Sequence, residues 1–293
     1  MTLSLKQLSA TAILTACSVL STVQAADLTL KVFNPGDKSL FPVTSTLITG
    51  PTEAVLIDAQ FQRDDAQSVL KMIQESGKEL KTIYISHGDP DFYFGLDVIS
   101  DAYPNASIVS SPETLKHIRA TIDRKIGYWG PILGKNAPQK TIIPSLLKSN
   151  TLTVDGEELN IIGLNGQDPK HTFVWIPSIK TVTGGVIVYE KMHVWMADNQ
   201  TAESRDKWLH SLDRMLSLEP EKIVPGHYSG TSSMNTEAIE FTQQYIRTFE
   251  DSAIAAKSSM ELAEEMNKKF PEFAKNATLE LSAKVIKGEM QWP

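Results

Sequence analysis

The chain has 293 residues, enough for one large domain or two small ones with a substantial buried core. With 41% apolar and 22% charged residues it has the make-up of a folded globular protein and not of a disordered one. Its 28 basic and 35 acidic residues give a net charge of -7 with no Lys/Arg run dense enough to track a phosphate backbone, which argues against nucleic acid as a partner; a single cysteine, Cys17, excludes a disulfide framework or a Cys-rich zinc module.

Residues 1–25 carry a short basic start (Lys6), an apolar run through Leu14 to Leu20 and a small-x-small site at Val23-Gln24-Ala25, the pattern of a secretory signal peptide cleaved after Ala25. A periplasmic or secreted protein is expected. The alternative is a lipoprotein anchored through Cys17, because Leu14-Thr15-Ala16-Cys17 has the small residues that precede a lipidated cysteine. No later stretch is long and apolar enough to span a membrane, so no transmembrane helix is expected after cleavage.

Leu28 to Phe33, Thr44 to Thr49 and Ala54 to Asp58 are β-branched and apolar runs separated by Pro/Gly pairs, and they read as a meander. Val69, Leu70 and Ile73 then recur at helical spacing, with Gly77 as a stop signal. Thr82 to Ser86 reads as a buried strand, Leu96 and Ile99 mark a helix, Ser107 to Ser110 is a strand, and Ser111-Pro112-Glu113 starts another helix. Residues 122–147, with Tyr128-Trp129-Gly130-Pro131, read as a long surface loop. Further strands are expected at Thr151 to Val154, Leu159 to Ile162, Thr172 to Ile176, Thr181 to Val188 and Lys222 to Val224, with a helix near Trp208 to Leu216. From Thr236 the chain reads as helical, with a capping box at Ser258 and Glu261, a break at Pro271 and a last helix over about Ala277 to Ile286. Strands in both halves, each followed by helices, predict an α/β sandwich of sheets with helices outside: a main domain over 26–250 and a helical extension, 251–293, packed on it.

After the Thr82 to Ser86 strand the chain reads Ser86-His87-Gly88-Asp89-Pro90-Asp91-Phe92-Tyr93-Phe94-Gly95-Leu96. Imidazole and carboxylate groups alternating across a strand-to-helix turn converge on one point in metal cages; the plainer alternative is an acidic turn that caps the next helix. The segment resembles the metallo-β-lactamase superfamily, whose strand-end signature is H-x-H-x-D-H followed by Gly. Val55-Leu56-Ile57-Asp58 resembles the family's early strand with its structural Asp, and Lys222 to His227 (K-I-V-P-G-H) resembles the strand that delivers its last metal ligand. The resemblance runs from about Leu28 to Phe249 and implies an αββα sandwich of two mixed sheets.

It also implies a two-metal hydrolytic centre, which this sequence carries only in part. His87, Asp91 and His227 match ligand positions, and Asp89 replaces a His. Phe92 stands where a His is expected, Leu164 and Asn165 occupy the turn of another, and Gly185 stands in place of the bridging carboxylate. Asp168 and His171 are the nearby groups that could fill the gap. Two functions follow, beside a structural reading as a lipidated surface protein whose cleft holds no ligand. One is a protein with a degenerate metal centre that binds a small ligand with little or no hydrolysis. The other is a hydrolase of a small ester or lactone with one divalent metal, zinc before iron or manganese, on His87, Asp89, Asp91 and His227, with Asp91 positioning the water. Tyr93, Tyr128, Trp129 and His193 are candidate substrate contacts, with Tyr128 and Trp129 as a lid. For His193 the plainer alternative is a packed core histidine beside Trp195; His117 and His210 read as surface groups. Asp58 reads as structural.

Overall fold

The computed structural model describes residues 27–273 and 277–292; the segment read as a signal peptide, with Cys17, lies outside them. The apolar runs of the first half become β1 (Thr29–Phe33), β2 (Ser45–Thr49) and β3 (Glu53–Ile57), an antiparallel meander. Helix α1 (Arg63–Ser76) then carries the chain to β4 (Glu79–Ile85), and α2 (Pro90–Tyr93) and α3 (Leu96–Ala102) lead to β5 (Ser107–Ser110). Helix α4 (Pro112–Leu133) leads to the two-residue β6 (Ser145–Leu146). These last three strands join in parallel, as crossover helices require, and the six-stranded sheet keeps chain order from β1 to β6.

The second half supplies β7 (Thr151–Val154), β8 (Glu157–Ile162), β9 (Phe173–Ile176), β10 (Thr181–Thr183), β11 (Tyr189–Glu190), helix α5 (Ala202–Leu216), β12 (Lys222–Ile223) and β13 (His227–Tyr228). The five-stranded sheet runs β12-β10-β9-β8-β7, antiparallel except for the β10/β12 pair, and β11 with β13 forms a short parallel ladder. Helices α6 (Glu237–Ala255), α7 (Ser259–Lys269) and α8 (Ala277–Ile286) close the chain.

Strand periodicity explains the layers. On β2, β3 and β4 both faces are buried: Ile48, Val55, Ile57 and Tyr84 meet Leu159, Ile161, Val174 and Ile176 of the other sheet, while Leu47, Leu56, Ile83 and Ile85 point to the helices. The Oγ1 atoms of Thr46 and Thr183 are 2.8 Å apart across the sandwich. Residues of α6, α7 and α8, among them Phe249, Leu262, Met266 and Leu279, belong to the same apolar cluster as Leu47 and Leu56, so the carboxy-terminal helices share the core of the main domain.

Two expected elements differ. The stretch 122–147 is not a loop throughout, because α4 continues to Leu133. Leu115, Ile118, Ile122 and Leu133 bury one face of it, and that burial outweighs Gly127, Gly130 and the lost N–H of Pro131 near the end of the helix. The run Thr181 to Val188 is not one strand, because Gly184 and Gly185 adopt φ of +74° and +84° and bend the chain between β10 and β11. The capping box is half formed: Ser258 Oγ accepts from Glu261 N, but the Glu261 carboxylate accepts from Lys257 N, one residue upstream of the N-cap.

Candidate functional site

The site forms where β3 and β4 end and β13 begins. Asp58, at φ +64°, follows β3; its carboxylate accepts from Ser86 N at 2.8 Å and Ser86 Oγ at 2.5 Å, and Ser86 Oγ accepts from Gly185 N at 2.7 Å. This chain ties the start of the His87 turn to the bend between β10 and β11. Burial pushes the Asp58 carboxyl up to about 7 in spite of the Ser86 donors. On the other side Thr44 N donates to Gly226 O at 2.9 Å, and an isolated bridge joins Val43 to His227, so the last strand reaches the same edge.

Four of the groups expected to converge are brought together, but in two separate pairs. His87 Nδ1 lies 3.5 Å from Asp89 Oδ2, and His227 Nε2 lies 3.3 Å from Asp91 Oδ2. The fully buried Phe92 ring packs against both histidines, steeply inclined to each, at 5.3 Å from His87 and 5.5 Å from His227 between centroids. Tyr189 stacks on His227 at 5.0 Å. Asp89 occupies the N-cap position of α2, yet its side chain makes no cap. Its Oδ1 instead accepts from Lys125 Nζ at 2.6 Å, and the same ammonium reaches His117 Nε2 at 3.0 Å and Gly88 O at 3.2 Å.

These contacts set the charges. Burial lowers His87 to about 3 and His227 to about 4 against the attraction of Asp89, so both imidazoles are neutral at neutral pH. Burial alone would raise Asp89, but Lys125, with His87 and His117 behind it, outweighs burial and holds that carboxyl below its usual range. Burial and the neighbouring Asp89 push Asp91 well up.

Lys125 and His117 are the residues that sequence reasoning misses. The sequence places His117 on the surface, and it is half-exposed, but its Nε2 faces the Lys125 ammonium. The signal is present in the spacing Thr114, Ile118, Thr121, Ile122, a helical buried face that carries His117 and Lys125 along its edge. Reading 122–147 as a loop hides it. His210 is exposed, as expected.

The side chains of Asp89, Asp91, Lys125 and His227 open into a cavity of about 310 Å3 whose walls include Phe41, Phe61, Tyr128, Trp129, Tyr189, Trp195 and Trp292. Tyr128 and Trp129 reach it from α4 rather than from a loop; Trp129 packs edge-on against Phe41 and Phe61, and Tyr128 is 60% exposed at the mouth. Asp198 accepts from the indole N–H of Trp195 at 2.6 Å and of Trp292 at 2.7 Å, which clasps the chain end over the cavity. Two candidates stand apart from it. Tyr93 is buried beside Phe94, and His193 is fully buried among Tyr245 and Phe273 with Nδ1 3.0 Å from Tyr245 Oη; helix packing has claimed both side chains.

The donors do not fit the two-metal centre that the resemblance implies. Among the described residues no three His, Cys, Asp or Glu side chains are gathered to hold an ion. A side chain at Gly185 is barred by its φ of +84° and by Thr172 O, which would lie 2.4 Å from a Cβ. Asp168 and His171 partner each other, Nδ1 to Oδ2 at 2.5 Å, with the His171 ring stacked on Trp208 and its Nε2 3.5 Å from Asn199 Nδ2.

Residues 39–227 match the family model of the metallo-beta-lactamase superfamily. No curated protein sequence matches the chain. Among solved structures, a metallo-beta-lactamase family protein from Thermus thermophilus is similar at a TM-score of 0.61 and 18% identity, over 89% of this chain and 93% of that one. A metallo-beta-lactamase from Pontibacter korlensis is similar at 0.54 and 14%, over 76% and 99%. The stereoselective inverting sec-alkylsulfatase Pisa1 from Pseudomonas sp. is similar at 0.57 and 16%, over 85% of this chain and 48% of that one. At these identities the structures speak for the fold, the same layered mixed sheets found here. With the family match spanning well over half of its length, the chain belongs to the metallo-beta-lactamase superfamily.

Proposed function

We propose that this protein binds a small, largely apolar molecule over a degenerate metal centre, with little or no hydrolysis, and that it does so outside the cytoplasm, to which the signal-peptide pattern of residues 1–25 would direct it. The observation that carries this reading is the position of Phe92. Its ring packs against the histidine of both the His87–Asp89 pair and the Asp91–His227 pair, so the groups that would share a metal hydroxide face a hydrocarbon ring instead. Catalytic zinc takes three protein ligands and a water. Each pair here offers two donors.

The cavity supports the ligand class. A volume of about 310 Å3 is at the small end for a binding pocket, and aromatic residues interspersed with Asp89, Asp91, Arg124, Lys125 and His227 suit a compact apolar molecule that carries a polar group. Asp91, beside His227, is the carboxyl group there that Lys125 does not hold. Trp129, Trp195 and Trp292 line the cavity, so ligand entry is readable as a change in indole emission. Titration of the purified protein with a panel of aryl esters and lactones in metal-free buffer should show saturable quenching and no turnover. Turnover that needs added zinc and is lost in Asp91→Ala and His227→Ala would replace this reading with the mononuclear hydrolase.

A further inference from the structure

We infer that Lys125 is the resident cation of this centre: its ammonium sits on the carboxylate and imidazole donors of the His87–Asp89 side, satisfies them, and keeps a divalent metal from binding there. The inference rests on the reading that the centre works without a metal, and it says what took the metal's place.

The contacts of the ammonium carry it. A lysine Nζ has three N–H bonds, and three acceptors surround this one: Asp89 Oδ1 at 2.6 Å, His117 Nε2 at 3.0 Å and Gly88 O at 3.2 Å. The lysine side chain is 14% exposed and Asp89 20%, so the pair is shielded from water. To accept, His117 must hold its proton on Nδ1. His87 Nδ1 in turn accepts from Asp89 N at 3.3 Å and lies 3.5 Å from the second carboxylate oxygen. A divalent ion approaching Asp89 would therefore meet a like charge already on its oxygen.

Without the ammonium Asp89 keeps an imidazole near each of its oxygens. Asp89 Oδ1 and His117 Nε2 are 3.9 Å apart, and Asp89 Oδ2 and His87 Nδ1 are 3.5 Å apart. Zinc bonds of about 2.0–2.1 Å place neighbouring tetrahedral ligands about 3.3 Å from each other, so each Asp89–imidazole pair is near ligand spacing; for all three to share one ion the side chains must turn and His87 Nδ1 must give up Asp89 N. Helix α4 makes this possible by presenting His117 and Lys125 from the same side, a position no strand end supplies. A hydrophobic lysine replacement would thus create a metal site instead of destroying one.

The test is zinc retention by the full chain. Wild type, Lys125→Met, Lys125→Gln, Lys125→Arg and the double variant Lys125→Met/His117→Ala are each incubated with zinc, freed of excess and analysed for metal, with circular dichroism to confirm folding; cobalt absorption reports whether the ligand field is tetrahedral. Wild type and Lys125→Arg should retain less than about a tenth of an equivalent, Lys125→Met and Lys125→Gln about one, and the double variant should fall back to the wild-type level. Retention of about one equivalent by wild type, or none by both neutral variants when folded, overturns the inference. If neither wild type nor the neutral variants hold zinc, only the role of Lys125 falls; if wild type holds zinc and hydrolyses esters, the ligand-binding reading falls with it.

Discussion

The His87–Asp89 pair and the Asp91–His227 pair come from the same strand-end turns and are built from the same residue types, yet their surroundings differ. The first is closed by a cation: Asp89 has a lysine on one oxygen and His87 near the other, although Asp89 and Lys125 also line the cavity. The second lines the same cavity with no cation on its carboxyl: His227 lies beside Asp91, with Tyr189 stacked on the imidazole ring. A carboxylate that is paired with a cation has given up ligand chemistry for stability, while one left beside a neutral imidazole at a cavity wall remains available to a ligand.

The comparison is broken most severely at Phe92, which packs against the histidine of each pair. Phe92→Ala should lower unfolding free energy by about 3–5 kcal/mol in denaturant titration, the usual result of emptying a fully buried aromatic site. A smaller loss, below about 1 kcal/mol, would show that the ring is not packed against the histidines.

Lys125→Met acts on the closed pair alone. Removing the cation leaves Asp89 partly buried beside two imidazoles, at about 2 kcal/mol, and Asp89→Asn in the same chain should restore most of it. Additive losses in that double-mutant cycle would mean the two groups do not interact.

Asp58 provides a reference outside both pairs. Its carboxyl is raised from 3.8 to about 7, so the proton favours the folded state: the stabilising contribution is full below about pH 4 and is lost as pH rises through 7. Stability measured against pH should therefore decline across that window in wild type and lose this component of the decline in Asp58→Asn; equal slopes would contradict the burial assigned to Asp58. The smallest effect on stability belongs to Tyr128→Ala at the cavity mouth, within about 0.5 kcal/mol, while the affinity for a cavity ligand should weaken about threefold to tenfold by fluorescence titration. An unchanged affinity would remove Tyr128 from the ligand site.

Much of the fold is legible because strand periodicity and turn residues are local. The meander, the Ser111 helix start and the last helix at Ala277–Ile286 all stand where apolar spacing and punctuation put them. The meeting of His87 with Asp89 and of Asp91 with His227 is legible in part, since Gly and Pro signals mark the turn after β4 and the start of β13. What the sequence conceals depends on tertiary burial. Gly127, Gly130 and Pro131 look like a loop in isolation, and only the packing of Ile118, Ile122 and Leu133 makes them helix. With that helix hidden, Lys125 and His117 have no visible route to Asp89, 36 and 28 residues away along the chain. His193 and Tyr93 show the reverse, polar aromatic residues that motif position favours for a pocket and that core packing consumes.

On this reading the superfamily member keeps the fold and the turn after β4 but has filled one half of the expected metal centre with its own cation, Lys125. Anomalous scattering at the zinc edge, from crystals of the wild-type protein equilibrated with zinc, tests it most directly. The account predicts no peak within bonding distance of Asp89, Asp91 or His227 and an intact Lys125–Asp89 contact; a full-occupancy peak held by those side chains, with Lys125 turned away, would contradict it.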